Sequence, residues 1–126
     1  MARRSAASNL MLAYWLPVAL YVGMIFLISA QPHLKAPLPF AFGDKIMHLL
    51  EYGGLGILLA RGIGATNPRF APLSAGLLAV CLGVTVGTCD ELFQATVPGR
   101  ESSAFDLMAD TAGVGLAQFL YRAFAR

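Results

Sequence analysis

The sequence predicts an all-α integral membrane protein built as a four-helix bundle, on three observations. Of its 126 residues 57% are hydrophobic and only 13% charged, an apolar share above the ~45–50% of soluble domains. Residues 10–29 form a charge-free run of about 20 residues, the length a helix needs to cross ~30 Å of hydrocarbon. Three further stretches, 44–63, 72–95 and 104–125, have spanning length and are polar mainly near one end. The length fits a single transmembrane domain over 1–126.

The elements follow in order. The first helix, 10–29, carries no chemical motif and is expected to serve as an anchor, kinked at Pro17. A cleaved signal peptide is the competing reading, but the apolar run exceeds the ~7–15 residues of such segments, and Arg3-Arg4 lacks the context of a twin-arginine signal. Gln31-Pro32, Pro37 and Pro39 forbid continuation, and Asp44 is placed to cap the second helix. Asn67-Pro68 and Pro72 mark the next boundary. Pro98-Gly99 makes a turn, and Ser103 with Asp106 three residues on has the capping-box pattern that opens the fourth helix. Short loops make sequential helices antiparallel neighbours. Cys81 and Cys89, eight positions apart on one helix, lie about 12 Å apart along its axis and cannot bridge; they read as small packing residues.

Orientation follows from the basic residues. With both termini cytoplasmic, Arg3, Arg4, Arg61, Arg69, Arg122 and Arg126 fall inside, and only Lys35, Lys45 and Arg100 outside, as the positive-inside rule requires. All seven carboxylates then lie toward the outer face, where three basic residues leave a formal balance of −4 despite the whole-chain +2.

Those acids define the candidate site. Asp44, His48, Glu51 and Tyr52 are spaced i, i+4, i+7 and i+8, within about one quadrant of the second helix. Glu51 lies about 10 Å deeper than Asp44, where an isolated carboxylate needs a partner; His48 and Lys45 are near. On the third helix Gly76, Gly83, Gly87, Asp90 and Gln94 share a stripe, the glycines for close packing and the polar pair for a shared pocket; Glu91 points about 100° away, toward the interface. Asp106, Asp110 and Gly113 share a face of the fourth helix, continued by Ala117. Arg100, beside Pro98-Gly99, is a fixed cation able to clamp phosphate or carboxylate.

Taken together, DKIMHLLEYGGLG (44–56), DELFQ (90–94), PGR (98–100) and DLMADTAGVGLA (106–117) resemble the VanZ-like family of small bacterial membrane proteins. The resemblance covers the last three helices and implies roles for Asp44, Lys45, His48, Tyr52, Asp90, Glu91, Gln94, Arg100, Asp106 and Gly113. Asp110 departs from it, since the family more often shows Asn there. The resemblance further implies a multi-pass protein of the bacterial cytoplasmic membrane. It also implies a link to low-level resistance to the glycopeptide teicoplanin for the family's name-giving member.

Four functional classes are weighed. In the first, the outer cluster binds the headgroup of an envelope lipid or a lipoglycopeptide, through Asp44, Lys45, His48, Glu51, Tyr52, Asp90, Glu91, Gln94, Arg100, Asp106 and Asp110. In the second, an enzyme acts on a lipid-linked precursor, with His48, Glu51 or Asp90 as catalytic candidates and a divalent cation held by the carboxylates. The third is a scaffold for a partner membrane enzyme, or a homo-oligomer. Transport is weaker, because no acid continues into the inner half. Nucleic-acid binding is excluded by the scarcity and placement of the basic residues.

Overall fold

The computed structural model describes residues 8–34 and 40–124; Arg3, Arg4, Lys35, Pro37, Pro39 and Arg126 lie outside the described residues. Among those described the chain forms helices and no strand: α1 (Ser8–Ser29), α2 (Gly43–Thr66), α3 (Pro72–Gln94) and α4 (Ala104–Phe124). The first three are long and apolar enough to cross a membrane, whereas α4, which carries Asp106, Asp110 and Arg122, is not among them.

Local chemistry accounts for the helix ends and one irregularity. Within α1, Met11–Trp15 is wound as a π-helix just ahead of Pro17. Proline offers no N–H to the carbonyl four residues earlier and its ring crowds that carbonyl, so the backbone widens by one residue per turn. The disturbance expected at Pro17 thus takes the form of a π-stretch. Helix α2 begins at Gly43 with Phe42 at the cap position and no side-chain cap, so Asp44 is not the N-cap. It lies in the first turn, where the helix dipole favours an acid, and its carboxylate turns to Lys45 at 2.6 Å. Helix α3 opens on Pro72, whose missing N–H costs nothing in a first turn.

The packing is inverted relative to a soluble protein. The buried polar side chains include Ser29, Asp90, Glu91, Gln94, Asp106, Asp110 and Gln118, while Leu20, Leu27, Leu50, Leu77, Leu92, Phe105, Met108, Phe119 and Phe124 face outward. Water would penalise that outer surface, whereas hydrocarbon accepts it and drives the polar groups inward to find partners. This is a membrane protein.

Helices α2 and α4 form the most extensive contact, α3 packs on both, and α1 lies against α2 and α3. Small residues set the spacing. Gly83 leaves room for Val114, Gly87 for Leu107 and Asp110, Gly56 for Ala117 and Val114, and Gly113 for the backbone of Leu49 and Gly53. The apolar core runs from Val18 and Ile25 through Tyr52, Leu55, Leu59 and Ile63 to Ala79 and Val114. Cys81 and Cys89 are free and exposed, so they do not pack within the bundle as expected; the glycines hold the inner face of α3.

Arg61, Arg69 and Arg122 belong to the end of the bundle opposite Lys45 and Arg100. There Arg122 passes over Gly76 to donate to the Pro72 carbonyl, and Arg61 lies 5.7 Å from the Tyr14 ring. Midway, Gln118 donates to the Gly56 carbonyl at 2.9 Å, a buried polar contact that the sequence reading passed over. Interhelical hydrogen bonds of this kind average ~0.6 kcal/mol in membranes, and the Gly56 carbonyl lies within a helix that already offers it a partner. Gln118→Leu is therefore expected to cost well under ~1 kcal/mol in equilibrium unfolding in bicelles. A loss above ~2 kcal/mol would show that the glutamine holds α2 and α4 together.

Candidate functional site

The outer ends of the helices bring together side chains distant in sequence. From α2, Lys45 reaches both the Asp44 carboxylate at 2.6 Å and that of Asp106 on α4 at 2.5 Å. One turn deeper, His48 Nδ1 lies 2.9 Å from Asp110 Oδ1, again linking α2 to α4. Another turn down, the Tyr52 hydroxyl points to Asp90 Oδ2 on α3 at 3.5 Å, a long contact. Lys45, His48 and Tyr52, spaced i, i+3 and i+7 along α2, thus each meet an acid from another helix, because that spacing keeps them on the face that α3 and α4 share.

On α3, Gln94 is the hub. Its amide nitrogen donates to Asp90 Oδ2 at 3.0 Å and to the Ser29 hydroxyl of α1 at 3.1 Å, and its carbonyl oxygen accepts from Arg100 at 3.0 Å. Arg100 also directs a longer contact of 3.5 Å to the Leu34 carbonyl. Its guanidinium is therefore held by two neutral oxygens, and no carboxylate pairs with it among the described residues.

Glu91 corrects the expectation drawn from its 100° offset. It is only 5% exposed, and its Oε2 accepts the backbone N–H of Ser103 at 2.7 Å. In the same turn the Ser103 hydroxyl accepts the N–H of Phe105 at 3.2 Å, the ordinary N-cap bond. The capping box at the head of α4 is thus completed from α3 by Glu91, and Asp106, expected in that role, is drawn to Lys45 instead.

Helix α1 is more than an anchor. Besides Ser29, its Tyr21 hydroxyl donates to the backbone carbonyl of Glu51 at 2.9 Å, in space left by Gly54. A cleft of about 870 Å³ lies where α1, α2 and the turn between α3 and α4 meet. Tyr21, Met24, Ile28, Met47 and Leu50 give it apolar walls, and Asp44, Lys45, His48, Glu51, Gln94, Arg100 and Asp106 give it a polar end. Of the catalytic candidates, His48 and Glu51 line this cleft, and Asp90, 1% exposed, lies behind it among buried groups. His33, absent from the sequence reading, packs its ring over Gly99, whose positive φ of 75° forms the turn that carries Arg100. A side chain at position 99 would be strained and would collide with that ring.

Beneath the cleft the charge is one-sided. Asp110 is fully buried and Glu91 nearly so, and the single oxygens Asp90 Oδ1, Glu91 Oε1 and Asp110 Oδ2 have no hydrogen-bond partner among the described residues. His48, Glu91 and Asp110 each bring a ligand atom within 4.8 Å of the others. Chemically, the arrangement offers an imidazole oriented by a buried carboxylate, a guanidinium free of acids, and a set of unsatisfied carboxylate oxygens.

A family model for VanZ/LLP1 matches residues 2–125. The chain belongs to the VanZ/LLP1 family. No curated protein and no solved structure matches it. In this VanZ/LLP1 protein the match takes in α1 as well as the three helices whose motifs carried the resemblance. The aspartate at position 110, in place of the more frequent asparagine of the resemblance, faces His48 here and so acquires a partner of its own.

Proposed function

We propose that this protein lies in the bacterial cytoplasmic membrane with both termini inside, all four helices crossing the bilayer, and that its outer cleft binds the anionic headgroup of an envelope lipid. The observation that carries the reading is Arg100: a guanidinium at the polar end of an otherwise apolar cleft, surrounded by acids yet bonded only to neutral oxygens. An unpaired guanidinium favours phosphate, which it can grip through two parallel bonds, and Lys45 and His48 on the facing wall add donors. Met24, Ile28, Met47 and Leu50 supply a surface along which an acyl or prenyl chain can lie. Spanning by α4 is supported by its outward face of Phe105, Met108, Leu116, Phe119 and Leu120, its acids being turned inward. The orientation is supported by the separation of Arg61, Arg69 and Arg122 from Lys45 and Arg100.

The test is mass spectrometry of lipids retained by protein purified in mild detergent. Wild type is expected to enrich a phosphate- or pyrophosphate-bearing lipid, and Arg100→Ala to lose it ~10–100-fold, the value of charge-assisted hydrogen bonds of ~1.5–3 kcal/mol. Arg100→Lys should fall between, keeping the charge without the planar fork. An unchanged lipid complement in folded Arg100→Ala protein would refute the reading. Retention of teicoplanin with no enriched phospholipid would instead make a lipoglycopeptide the ligand.

A further inference from the structure

We propose that His48, Glu91 and Asp110 form a binding site for a divalent first-row metal ion of the Zn²⁺ or Mn²⁺ class, beneath the polar end of the cleft. The three residues come from α2, α3 and α4 and converge only in the folded bundle, with one ligand atom of each within 4.8 Å of the others. The second observation is independent of that clustering. Glu91 and Asp110 are 5% and 0% exposed, and each holds one oxygen that nothing in the described protein satisfies. Nature rarely leaves such atoms orphaned: each costs ~1–3 kcal/mol when neutral and more when charged. Their other oxygens are already fixed, Glu91 Oε2 by the Ser103 N–H and Asp110 Oδ1 by His48, so both carboxylates are held in place while one oxygen of each stays available.

The ligand geometry agrees. The 2.9 Å hydrogen bond between His48 Nδ1 and Asp110 Oδ1 holds the imidazole beside the carboxylate whose other oxygen, Oδ2, is free, so ring and carboxylate stand within reach of one ion. The remaining cations nearby do not compete, because Lys45 is occupied by Asp44 and Asp106. One imidazole and two carboxylates suit Zn²⁺ or Mn²⁺ better than Ca²⁺, which asks for six to eight oxygens, and too few thiols are present for a soft ion. Three protein ligands leave at least one coordination position open, and His48 lines the cleft, so that position is reached from the cleft. The site stands on these ligands alone and does not depend on the lipid reading.

The experiment uses the full-length protein in dodecyl maltoside micelles, which carry no phosphate, stripped with chelator and dialysed against Zn²⁺ or Mn²⁺. About one ion per chain is expected by elemental analysis. Second-shell losses already weaken metal sites 10–100-fold, so removal of a direct ligand in His48→Ala, Glu91→Gln or Asp110→Asn should weaken binding by ~100-fold or more. Cys81→Ser/Cys89→Ser protein should bind as wild type does, which separates the site from the exposed thiols. Should the ligand variants fail to fold, wild type loaded with Mn²⁺ still decides the matter, because electron spin-echo modulation must show one imidazole nitrogen on the ion. Uptake no greater than that of empty micelles, wild-type affinity in folded ligand variants, or a bound ion without a nitrogen ligand would each overturn the proposal. Arg100→Ala is expected to keep the metal, so failure of the lipid reading and failure of the metal site give different results.

Discussion

Gly113→Ala is expected to destabilise the bundle by about 3 kcal/mol, at the upper end of the cost of overpacking a close-packed interior, and Gly113→Val by more. A Cβ at position 113 would fall on the Leu49 carbonyl oxygen, with the Gly53 amide nitrogen at 2.9 Å and the Leu49 carbonyl carbon at 3.1 Å. All three are backbone atoms of α2, and no rotamer change can clear them. Relief requires α4 to move off α2, across the most extensive helix contact in the protein. The same movement would separate His48 from Asp110 and Lys45 from Asp106, so the cluster should be lost with the packing. The informative comparison is Gly53→Ala, on the opposite side of the contact. A Cβ there meets only the Gly113 carbonyl oxygen at 3.8 Å, an ordinary van der Waals distance, and alanine gains up to ~1 kcal/mol of helix propensity. Unfolding by steric trapping in bicelles should therefore rank Gly53→Ala at or above wild type and Gly113→Ala far below. Equal stability of the two variants would show that the crossing of α2 and α4 is not set by Gly113.

The sequence signalled this arrangement unevenly, and the reasons are physical. Helix boundaries were legible because Pro32, Pro68, Pro72 and Pro98-Gly99 act locally, whatever packs against them. The i+4 face of α2 was legible because helical periodicity is intrinsic to the backbone, and His48 and Tyr52 do look toward the acids of α3 and α4, while Asp44 pairs with Lys45 of its own helix. What could not be read was the choice of partner across helices. Ser103 and Asp106 had the spacing of a capping box, yet Glu91 took the reciprocal bond, because Lys45 offered Asp106 a cation and α3 brought Glu91 to the head of α4. Glu91 was assigned to the interface on the premise that α3 buries one stripe. In fact α1 meets it through Gln94 and α4 through Glu91, so two faces are covered. The roles of Ser29, Tyr21 and His33 left no trace in sequence for the same reason: each is an isolated polar residue whose meaning comes from what faces it.

His48→Ala is expected to cost about 3 kcal/mol in the metal-free protein, the upper end of the penalty for leaving a buried polar group without its hydrogen-bond partner. Asp110 is fully buried, its Oδ2 is already without a partner, and His48 is the only described group bonded to Oδ1. Truncating the imidazole leaves both oxygens stranded beside Glu91 and Asp90, which carry orphan oxygens of their own. The cost therefore comes from the carboxylate left behind more than from the bond lost. It follows that Asp110→Asn, which removes the charge and restores the residue more frequent in the family resemblance, should be milder by itself. It should also recover part of the loss when combined with His48→Ala. A double-mutant cycle in bicelles is expected to return a coupling of at least ~1 kcal/mol, within the range for residues in direct contact. Additive losses would mean that the two side chains do not sense each other, and would remove the α2–α4 pair on which the whole acidic floor of the cleft is built. A coupling that grows when Zn²⁺ or Mn²⁺ is added would place both side chains on one ion, because either substitution alone already forfeits the stabilisation that the bound ion gives.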